Sequence, residues 1–327
     1  MIISDLSMSS FSNLFSNVQI KDLRGFSLSL IASMLWGILP IALKELIIAI
    51  DATTIVWFRF LLAGIVLTAW LFFTQQVPSI RGHDRLSSIL LLIAASSLCL
   101  NYFLFSYSLN FVNGETSEAV IQLTTLFLII GSVWIYGESF VPVQRFGTFL
   151  ILSGLLLFFN ERLIDFVQRG GSEGLGVMIV IFAAVTWTVY ALIQKKLLKS
   201  YTSVQILWVI YMFSLLVLLP FISPSLVLGL TGSQQFLLFF CCVNTLVAYG
   251  SFAEAMNCWD ASKVSAVLAL APLFTIGALK LIVYFVPDYE FSDRLGWLSL
   301  GGAGLLVLGS VMTAIVPLLS REPRKVN

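Results

Sequence analysis

Residues 25–57, GFSLSLIASMLWGILPIALKELIIAIDATTIVW, have a counterpart in residues 176–208, GVMIVIFAAVTWTVYALIQKKLLKSYTSVQILW. Four residues recur between the two stretches at a single offset of 151: Gly25, Trp36, Lys44 and Trp57 match Gly176, Trp187, Lys195 and Trp208. Four matches at one spacing indicate a duplication. Because each copy opens with a long apolar run, the repeated unit is predicted to be a set of membrane helices.

The duplication continues farther along the chain at an offset of 147. There the matching residues are Tyr102, Asn110, Ala119, Leu123, Leu126 and Phe127 with Tyr249, Asn257, Ala266, Leu270, Leu273 and Phe274. If each half crosses a bilayer an odd number of times, the two halves are inverted relative to one another. Inverted repeats of this kind are an architecture of secondary transporters.

The composition is that of a membrane protein, with 59% hydrophobic and only 11% charged residues. A soluble domain has roughly 25% charged residues. The net charge of +1 argues against a nucleic-acid-binding surface. The apolar runs predict ten transmembrane helices, each near the length that crosses about 30 Å of hydrocarbon: 27–48, 53–74, 86–109, 115–136, 144–160, 175–193, 204–219, 236–256, 264–286 and 295–319.

The loop charges test this partition, because Lys and Arg concentrate in cytoplasmic loops. With the N-terminus inside, the inner segments hold Lys21, Arg24, Arg81, Arg85, Arg145, Lys195, Lys196, Lys199, Lys263, Arg321, Arg324 and Lys325. The outer loops hold Lys44, Arg162, Arg169 and Arg294. We therefore predict an all-α integral membrane protein of ten transmembrane helices, arranged as two inverted five-helix repeats with both termini cytoplasmic.

The predicted organisation has five parts. A loosely ordered cytoplasmic tail at 1–24 precedes the first repeat at 25–160, and an outer linker at 161–174 leads to the second repeat at 175–319, which is followed by a cytoplasmic tail at 320–327. A short interfacial helix is the alternative for the first tail. No loop exceeds about 15 residues, so no appended soluble domain is expected.

Catalytic and metal-binding patterns are scarce. Cys99, Cys241, Cys242 and Cys258 lie in or at the ends of predicted spans without paired-ligand spacing, and His83 lies in an inner loop between arginines. No phosphate-binding loop follows a strand, since no convincing strand is present. We expect no metal and no cofactor, and no ATP-driven pump.

Several residues resemble those of the EamA-type carriers of the drug/metabolite transporter superfamily. The resemblance covers about residues 25–319 and rests on Trp36-Gly37, Lys44, Arg59-Phe60, Gly137-Glu138, Gly147, Gly154, Leu270, Pro272 and Phe274. It implies ten helices from two five-helix repeats, a bacterial inner membrane, and a small-molecule substrate. Thr124-Thr125 stand where the family often has a proline, and Val286-Pro287-Asp288 stand in place of a Gly-Glu pair.

Ionisable residues inside spans are the first candidate site residues, because a charge near hydrocarbon costs several kcal/mol unless it is paired or faces water. Arg59 leads, since its repeat partner is the neutral Ile210. We expect it to bind an anionic group or to form an outer gate with Glu118. Glu118 and Lys280 are candidates for gating or proton coupling; snorkelling to headgroups is the alternative for all three.

Polar and aromatic residues near midspan form the second candidate set, because the symmetry-related helices of an inverted repeat meet around a central site. Trp36 and its repeat partner Trp187 lie too deep for the interfacial belt of tryptophans. They are candidates for a stacking wall or for packing. The other predicted substrate-binding residues are Asn101, Tyr102, Gln122, Thr125, Tyr190, Asn244 and Tyr249.

The predicted function is transport of a small polar or aromatic organic solute, amino-acid-like and exported, by alternating access. Energy comes from the solute gradient or from coupled protons. The expected partners are the lipid bilayer and the solute, with no nucleic acid, in a monomer or homodimer. A channel or receptor is the alternative. A membrane-embedded enzyme is a weaker one, because Glu115 and Glu118 alone make too small a cluster of acids.

Overall fold

A computed structural model describes residues 3–78, 85–137, 140–159, 171–293 and 295–319, and within these ranges it contains helices and no β-strand. The helices are α1 Ile3–Leu46, α2 Ala52–Phe73, α3 Arg85–Ser108, α4 Gly114–Ile121, α5 Leu123–Tyr136, α6 Pro142–Phe158, α7 Ser172–Leu197, α8 Ser203–Leu218, α9 Gly232–Cys258, α10 Ala261–Leu268, α11 Ala271–Phe285 and α12 Trp297–Leu319. Two short 3₁₀ helices, Leu219–Phe221 and Pro224–Gly229, connect α8 to α9.

Seven helical stretches are long and apolar enough to cross a membrane, and three shorter apolar helices accompany them. The seven are Lys21–Leu46, Ala52–Phe73, Arg85–Ser108, Gly114–Tyr136, Ser172–Leu197, Ser203–Phe221 and Gly232–Cys258. The three are Pro142–Phe158, Ala271–Phe285 and Trp297–Gly309. Over the described residues the chain is thus all-helical, with the long apolar helices of an integral membrane protein. The predicted tail at 320–327 and most of the predicted linker lie outside the described residues.

The N-terminal segment differs from its prediction. Helix α1 begins at Ile3 and continues without a break into the first span, so the expected loosely ordered tail is helical from that residue onward. The reason lies in the sequence, because residues 3–24 contain neither proline nor glycine to stop a helix.

Two spans that were predicted as continuous helices are interrupted. The span at 115–136 is α4 and α5, which meet at Gln122, and the span at 264–286 is α10 and α11, separated by Ala269 and Leu270. Pro272, in the first turn of α11, has no N–H to continue the preceding helix. At Gln122 the backbone tightens instead, since the Thr125 N–H donates to the Gln122 carbonyl three residues back at 2.9 Å. The offset of 147 makes the two breaks equivalent.

Helices from the two halves of the chain pack in pairs: α1 with α9, α3 with α7, α2 with α8, and α6 with α12. Glycines lie at the contact where α6 and α12 cross. A Cβ atom built on Gly302 would lie 2.5 Å from the Phe158 nitrogen, and one on Gly309 would lie 2.5 Å from the Gly147 oxygen. Small residues allow this approach of two backbones, which van der Waals contact then stabilises.

The N-terminus of α4 is capped by a residue from the other half of the chain. The Asp293 carboxylate accepts hydrogen bonds from Asn113 Nδ2 at 3.0 Å, the Thr116 N–H at 3.2 Å and Thr116 Oγ1 at 2.8 Å. Beside it, Glu115 Oε1 accepts from Ser292 Oγ at 2.8 Å and from the Asp293 N–H at 3.2 Å. The first N–H groups of a helix have no partner within it, so this contact satisfies one of them.

Replacing Asp293 by alanine is expected to lower the stability of the purified protein. Loss of an N-cap carboxylate costs about 1 kcal/mol, and a chain of this size then melts roughly 2–4 °C lower. Thermal melting in detergent measures the change. Asp288→Ala is the matched control, because Asp288 lies in the same loop and its side chain is exposed. Equal melting temperatures for the two variants would contradict the capping role.

Candidate functional site

One cavity lies among α1–α5 and α7, α9, α10 and α11; we call it the central cavity, and fourteen residues line it. The volume of this cavity is about 80 Å³. Sites for small molecules usually measure about 300–1,000 Å³, so the cavity is small in this conformation. Both helix breaks border it, through Ile121 and Gln122 on one side and Leu268 and Ala271 on the other. Irregular backbone at membrane depth is typical where it lines a cavity.

Arg59 brings a buried cation to the central cavity. It lies seven residues into α2, and its side chain is 2% exposed. Its Nε donates to Thr245 Oγ1 at 2.8 Å, and its Cζ lies 4.4 Å from the centre of the Tyr102 ring. Within the described residues, the guanidinium makes no other hydrogen bond and no salt bridge. Its remaining N–H groups are therefore available to an anion in the cavity.

Glu118 brings a carboxyl group to the same cavity. It lies on α4, is 3% exposed, and accepts one long hydrogen bond, from Gln122 Nε2 at 3.4 Å. Glu118 and Arg59 form no ion pair with one another, although both line the cavity. The two groups thus stand apart, and the predicted Arg59–Glu118 gate contact is absent from this conformation.

Aromatic rings form one wall of the central cavity. Trp36 of α1 contacts Trp187 of α7 at a centroid distance of 5.9 Å and Tyr249 of α9 at 4.8 Å. Tyr102 of α3 contacts Tyr249 at 5.0 Å. Trp36 Nε1 is buried and has no hydrogen-bond partner in the described part of the chain. Rings at these distances pack edge to face or tilted, and they can also pack against an aromatic ring of a bound solute.

Eight of the predicted site residues meet at the central cavity: Trp36, Arg59, Asn101, Tyr102, Glu118, Gln122, Trp187 and Tyr249. Asn101 also joins two helices, since its Nδ2 donates to the Ala183 carbonyl of α7 at 2.9 Å. Thr124, next to the predicted Thr125, lines the cavity as well.

Four predicted residues do not line it. Thr125 turns away and donates to the Ser265 carbonyl of α10 at 3.3 Å. Asn244 Nδ2 donates to the Leu35 carbonyl of α1 at 2.6 Å. Tyr190 lies behind the wall, with its ring 6.3 Å from Tyr249. Lys280 is exposed on α11.

The lining residues that sequence reasoning missed are mostly apolar: Leu39, Phe105, Ile121, Leu268 and Ala271. Two of these residues could have been predicted from the sequence. Phe105 lies four residues after Asn101 and therefore on the same face of α3. Ala271 directly precedes Pro272, at the point where a helix is expected to break. Among the described residues, no group of three or more His, Cys, Asp or Glu side chains could hold a metal ion.

The two ends of the bundle are held by polar contacts. At one end is the Asp293 cap described above, with Lys44 Nζ beside it donating to the Leu109 carbonyl at 2.7 Å. At the other end Arg24 pairs with Glu254 at 2.9 Å. Arg24 and Lys44 are twenty residues apart in α1, which corresponds to about 30 Å along the helix axis. The central cavity lies between these ends.

The sequence family and the relatives that match this chain are named as transporters. A sequence model described as the EamA-like transporter family matches residues 23–160 and again residues 174–315. A protein of Haemophilus influenzae, named an uncharacterized transporter, is 38% identical over 295 residues, which make up 90% of this chain and 96% of the relative. An Escherichia coli protein, named the uncharacterized inner membrane transporter YhbE, is 36% identical over 89% of this chain and 91% of the relative.

Two more distant matches cover nearly the whole chain. An Escherichia coli protein named a probable amino-acid metabolite efflux pump is 21% identical, over 86% of this chain and 92% of the relative. A solved crystal structure superposes with a TM-score of 0.67 at 17% identity, covering 93% of this chain and 99% of the other. At that identity the superposition supports the fold alone.

Proposed function

Because the chain belongs to the EamA-like transporter family, we propose that it moves a small organic solute across the membrane by alternating access, as a secondary transporter. The solute is amino-acid-like or a related polar or aromatic metabolite, and the direction is export. The family and its relatives are named as transporters, which are generally not enzymes.

The observation that carries this proposal is the buried Arg59 with unpaired guanidinium nitrogens in the lining of the central cavity. A buried cation without a carboxylate partner is costly, and an anionic group of the solute relieves that cost. Glu118 and Gln122 offer acceptors to a donor group of the solute, and the rings of Trp36 and Trp187 flank its apolar body. The name of the efflux-pump relative supports export of an amino-acid-like solute.

The proposed architecture is ten membrane-crossing helices in two inverted repeats. In it, α4 with α5 and α10 with α11 each form one crossing, and both termini are cytoplasmic. The two family matches, at 23–160 and 174–315, support two repeats. The equivalence of α1–α9 packing to α7–α3 packing supports a two-fold relation between them. The naming of YhbE as an inner membrane transporter supports a bacterial inner membrane.

The test of this function is a solute panel followed by counterflow. The purified protein is melted with each proteinogenic amino acid and with small organic acids and amines, because a bound solute raises the melting temperature. Each hit is then assayed by counterflow in proteoliposomes. A saturable signal that needs internal unlabelled solute is expected. Flux that never saturates would favour a channel, and binding without flux would favour a receptor.

Replacing Glu118 by glutamine tests the proposed proton coupling. Counterflow exchanges solute for solute and needs no net proton movement, and the glutamine amide keeps an acceptor oxygen for the solute, so Glu118→Gln is expected to retain saturable counterflow with a weaker affinity. Accumulation driven by a pH gradient is expected to fall to the level of control liposomes, because the amide cannot carry a proton. Glu290→Gln is the control, since Glu290 is exposed in the loop after α11. Unchanged pH-driven accumulation by Glu118→Gln would exclude Glu118 as the proton carrier.

A further inference from the structure

The lining of the central cavity is divided unequally between the two halves of the chain. Its charged, amide and aliphatic hydroxyl side chains all belong to the first half: Arg59, Asn101, Glu118, Gln122 and Thr124. The second half contributes Trp187, Tyr249, Leu268 and Ala271. A solute in this space therefore meets its polar partners on α2–α5 and a largely apolar wall on α7 and α9–α11.

The repeat offsets show that equivalent positions in the two halves have different side chains. With the offset of 147, the partners of Asn101, Glu118, Gln122 and Thr124 are Ala248, Ser265, Ala269 and Ala271. With the offset of 151, the partner of Arg59 is Ile210. Every polar position of the first half thus has a small or apolar equivalent in the second half. The rings, by contrast, are kept in both halves, as Trp36 with Trp187 and Tyr102 with Tyr249.

Unused hydrogen-bonding capacity is also found on the first half. Arg59 uses only Nε, and Trp36 Nε1 is buried without a partner in the described residues. Tyr102 Oη, also on the first half, is likewise buried without a partner in the described residues, and no such atom is found on the residues that the second half contributes to the lining. Buried groups that lack a partner discriminate between solutes most strongly, because a solute that fails to satisfy them leaves them unpaired.

We infer that the first repeat alone recognises the polar groups of the solute, and that the second repeat supplies a wall that binds its apolar body without selecting among polar groups. This inference rests on the proposed function and adds an assignment of specificity within it. A wall of rings and aliphatic side chains discriminates by size, which changes affinity by about 10- to 200-fold per methylene. Placed donors and acceptors can discriminate by larger factors.

The experiment uses three probes that share a phenyl ring and differ in polar groups: L-phenylalanine, 3-phenylpropionate without the amine, and 2-phenylethylamine without the carboxylate. Their dissociation constants are measured on the purified full chain by solute-dependent melting. The readout is the ratio of dissociation constants between probes, since a change in the ratio reports selectivity and a common change in all three reports only packing.

First-half variants are expected to change the ratios. Arg59→Gln should weaken L-phenylalanine and 3-phenylpropionate at least 10-fold relative to 2-phenylethylamine. Arg59→Lys, which keeps the charge, should restore part of that preference. Leu268→Val, in the second half, should weaken all three probes by a common factor and leave their ratios within about threefold of wild type. Melting without solute shows that each variant is folded.

The two repeat-related tryptophans provide a matched pair, because the same substitution is made at equivalent positions. Trp36→Phe removes an unpartnered donor from the first half and should change the ratios, whereas Trp187→Phe should weaken all three probes alike. Ratios altered as much by Trp187→Phe and Leu268→Val as by Arg59→Gln would overturn the inference and leave the proposed function intact. Failure of wild type to bind any probe would instead overturn the proposed substrate class.

Discussion

Arg59→Ala is expected to lower the transport rate at sub-saturating solute by about 10- to 100-fold, which is the largest effect of any substitution in the central cavity. A hydrogen bond to a charged group contributes about 1.5–3 kcal/mol, and 1.4 kcal/mol corresponds to a factor of ten. The physical reason is that the buried guanidinium has free N–H groups and no carboxylate partner in the described residues. Initial rates of counterflow in proteoliposomes, at matched protein content, measure the loss.

Arg59→Lys separates charge from shape. Lysine keeps the positive charge but loses the planar group over Tyr102 and the Nε bond to Thr245. We therefore expect a rate between those of wild type and Arg59→Ala. Arg85→Ala is the control, because Arg85 is exposed at the start of α3. Wild-type rates in both Arg59 variants would remove Arg59 from the site.

Gly302→Leu is expected to abolish folding of the protein, which is the second large effect. A Cβ at this position would lie 2.5 Å from the Phe158 nitrogen and 2.6 Å from the Gly154 oxygen, and both are backbone atoms that cannot turn aside. Overpacking of a core typically costs 1–3 kcal/mol, and a leucine against two backbones is expected to exceed about 3 kcal/mol. Size-exclusion chromatography of the detergent-extracted protein measures the loss of the folded peak.

The neighbouring glycine supplies the control for this prediction. Gly301 lies one position earlier in α12, is exposed, and has no atom within 4 Å of a built Cβ. Gly301→Leu is expected to fold normally, or to be stabilised by up to about 1 kcal/mol through its higher helix propensity. A folded Gly302→Leu protein, or equal losses in both variants, would show that close packing of α6 against α12 is not required.

The sequence predicts the membrane class and the family of this protein well, because apolar runs, loop charges and the duplicated tryptophans are all local signals. It predicts helix interruptions less well. Pro272 indicates the break before α11, but no proline or glycine indicates the equivalent break at Gln122. A helix in the N-terminal segment was predicted only as the alternative to a loosely ordered tail, since a Ser- and Asn-rich segment has no apolar periodicity typical of a helix.

The sequence predicted part of the candidate site from ionisable residues, which are costly to place in a membrane. Arg59 and Glu118 are such residues, and both line the central cavity, whereas Lys280, predicted on the same ground, is exposed on α11. Polar side chains that can bond to neighbouring backbone are harder to assign. Asn101 and Asn244 look alike in the sequence, and each donates its Nδ2 to a backbone carbonyl of a neighbouring helix, yet Asn101 lines the cavity and Asn244 does not. Only the rotation of each helix distinguishes them, and that is set by packing between helices.

The Asp293 cap on α4 has a consequence for the order in which the protein is made. Its partners Asn113 and Thr116 leave the ribosome about 180 residues before Asp293 does. During that interval α4 can enter the bilayer, but the Thr116 N–H lacks the carboxylate that satisfies it later. The wall of the central cavity that contains Glu118 therefore reaches its final form only when the loop between α11 and α12 has been made.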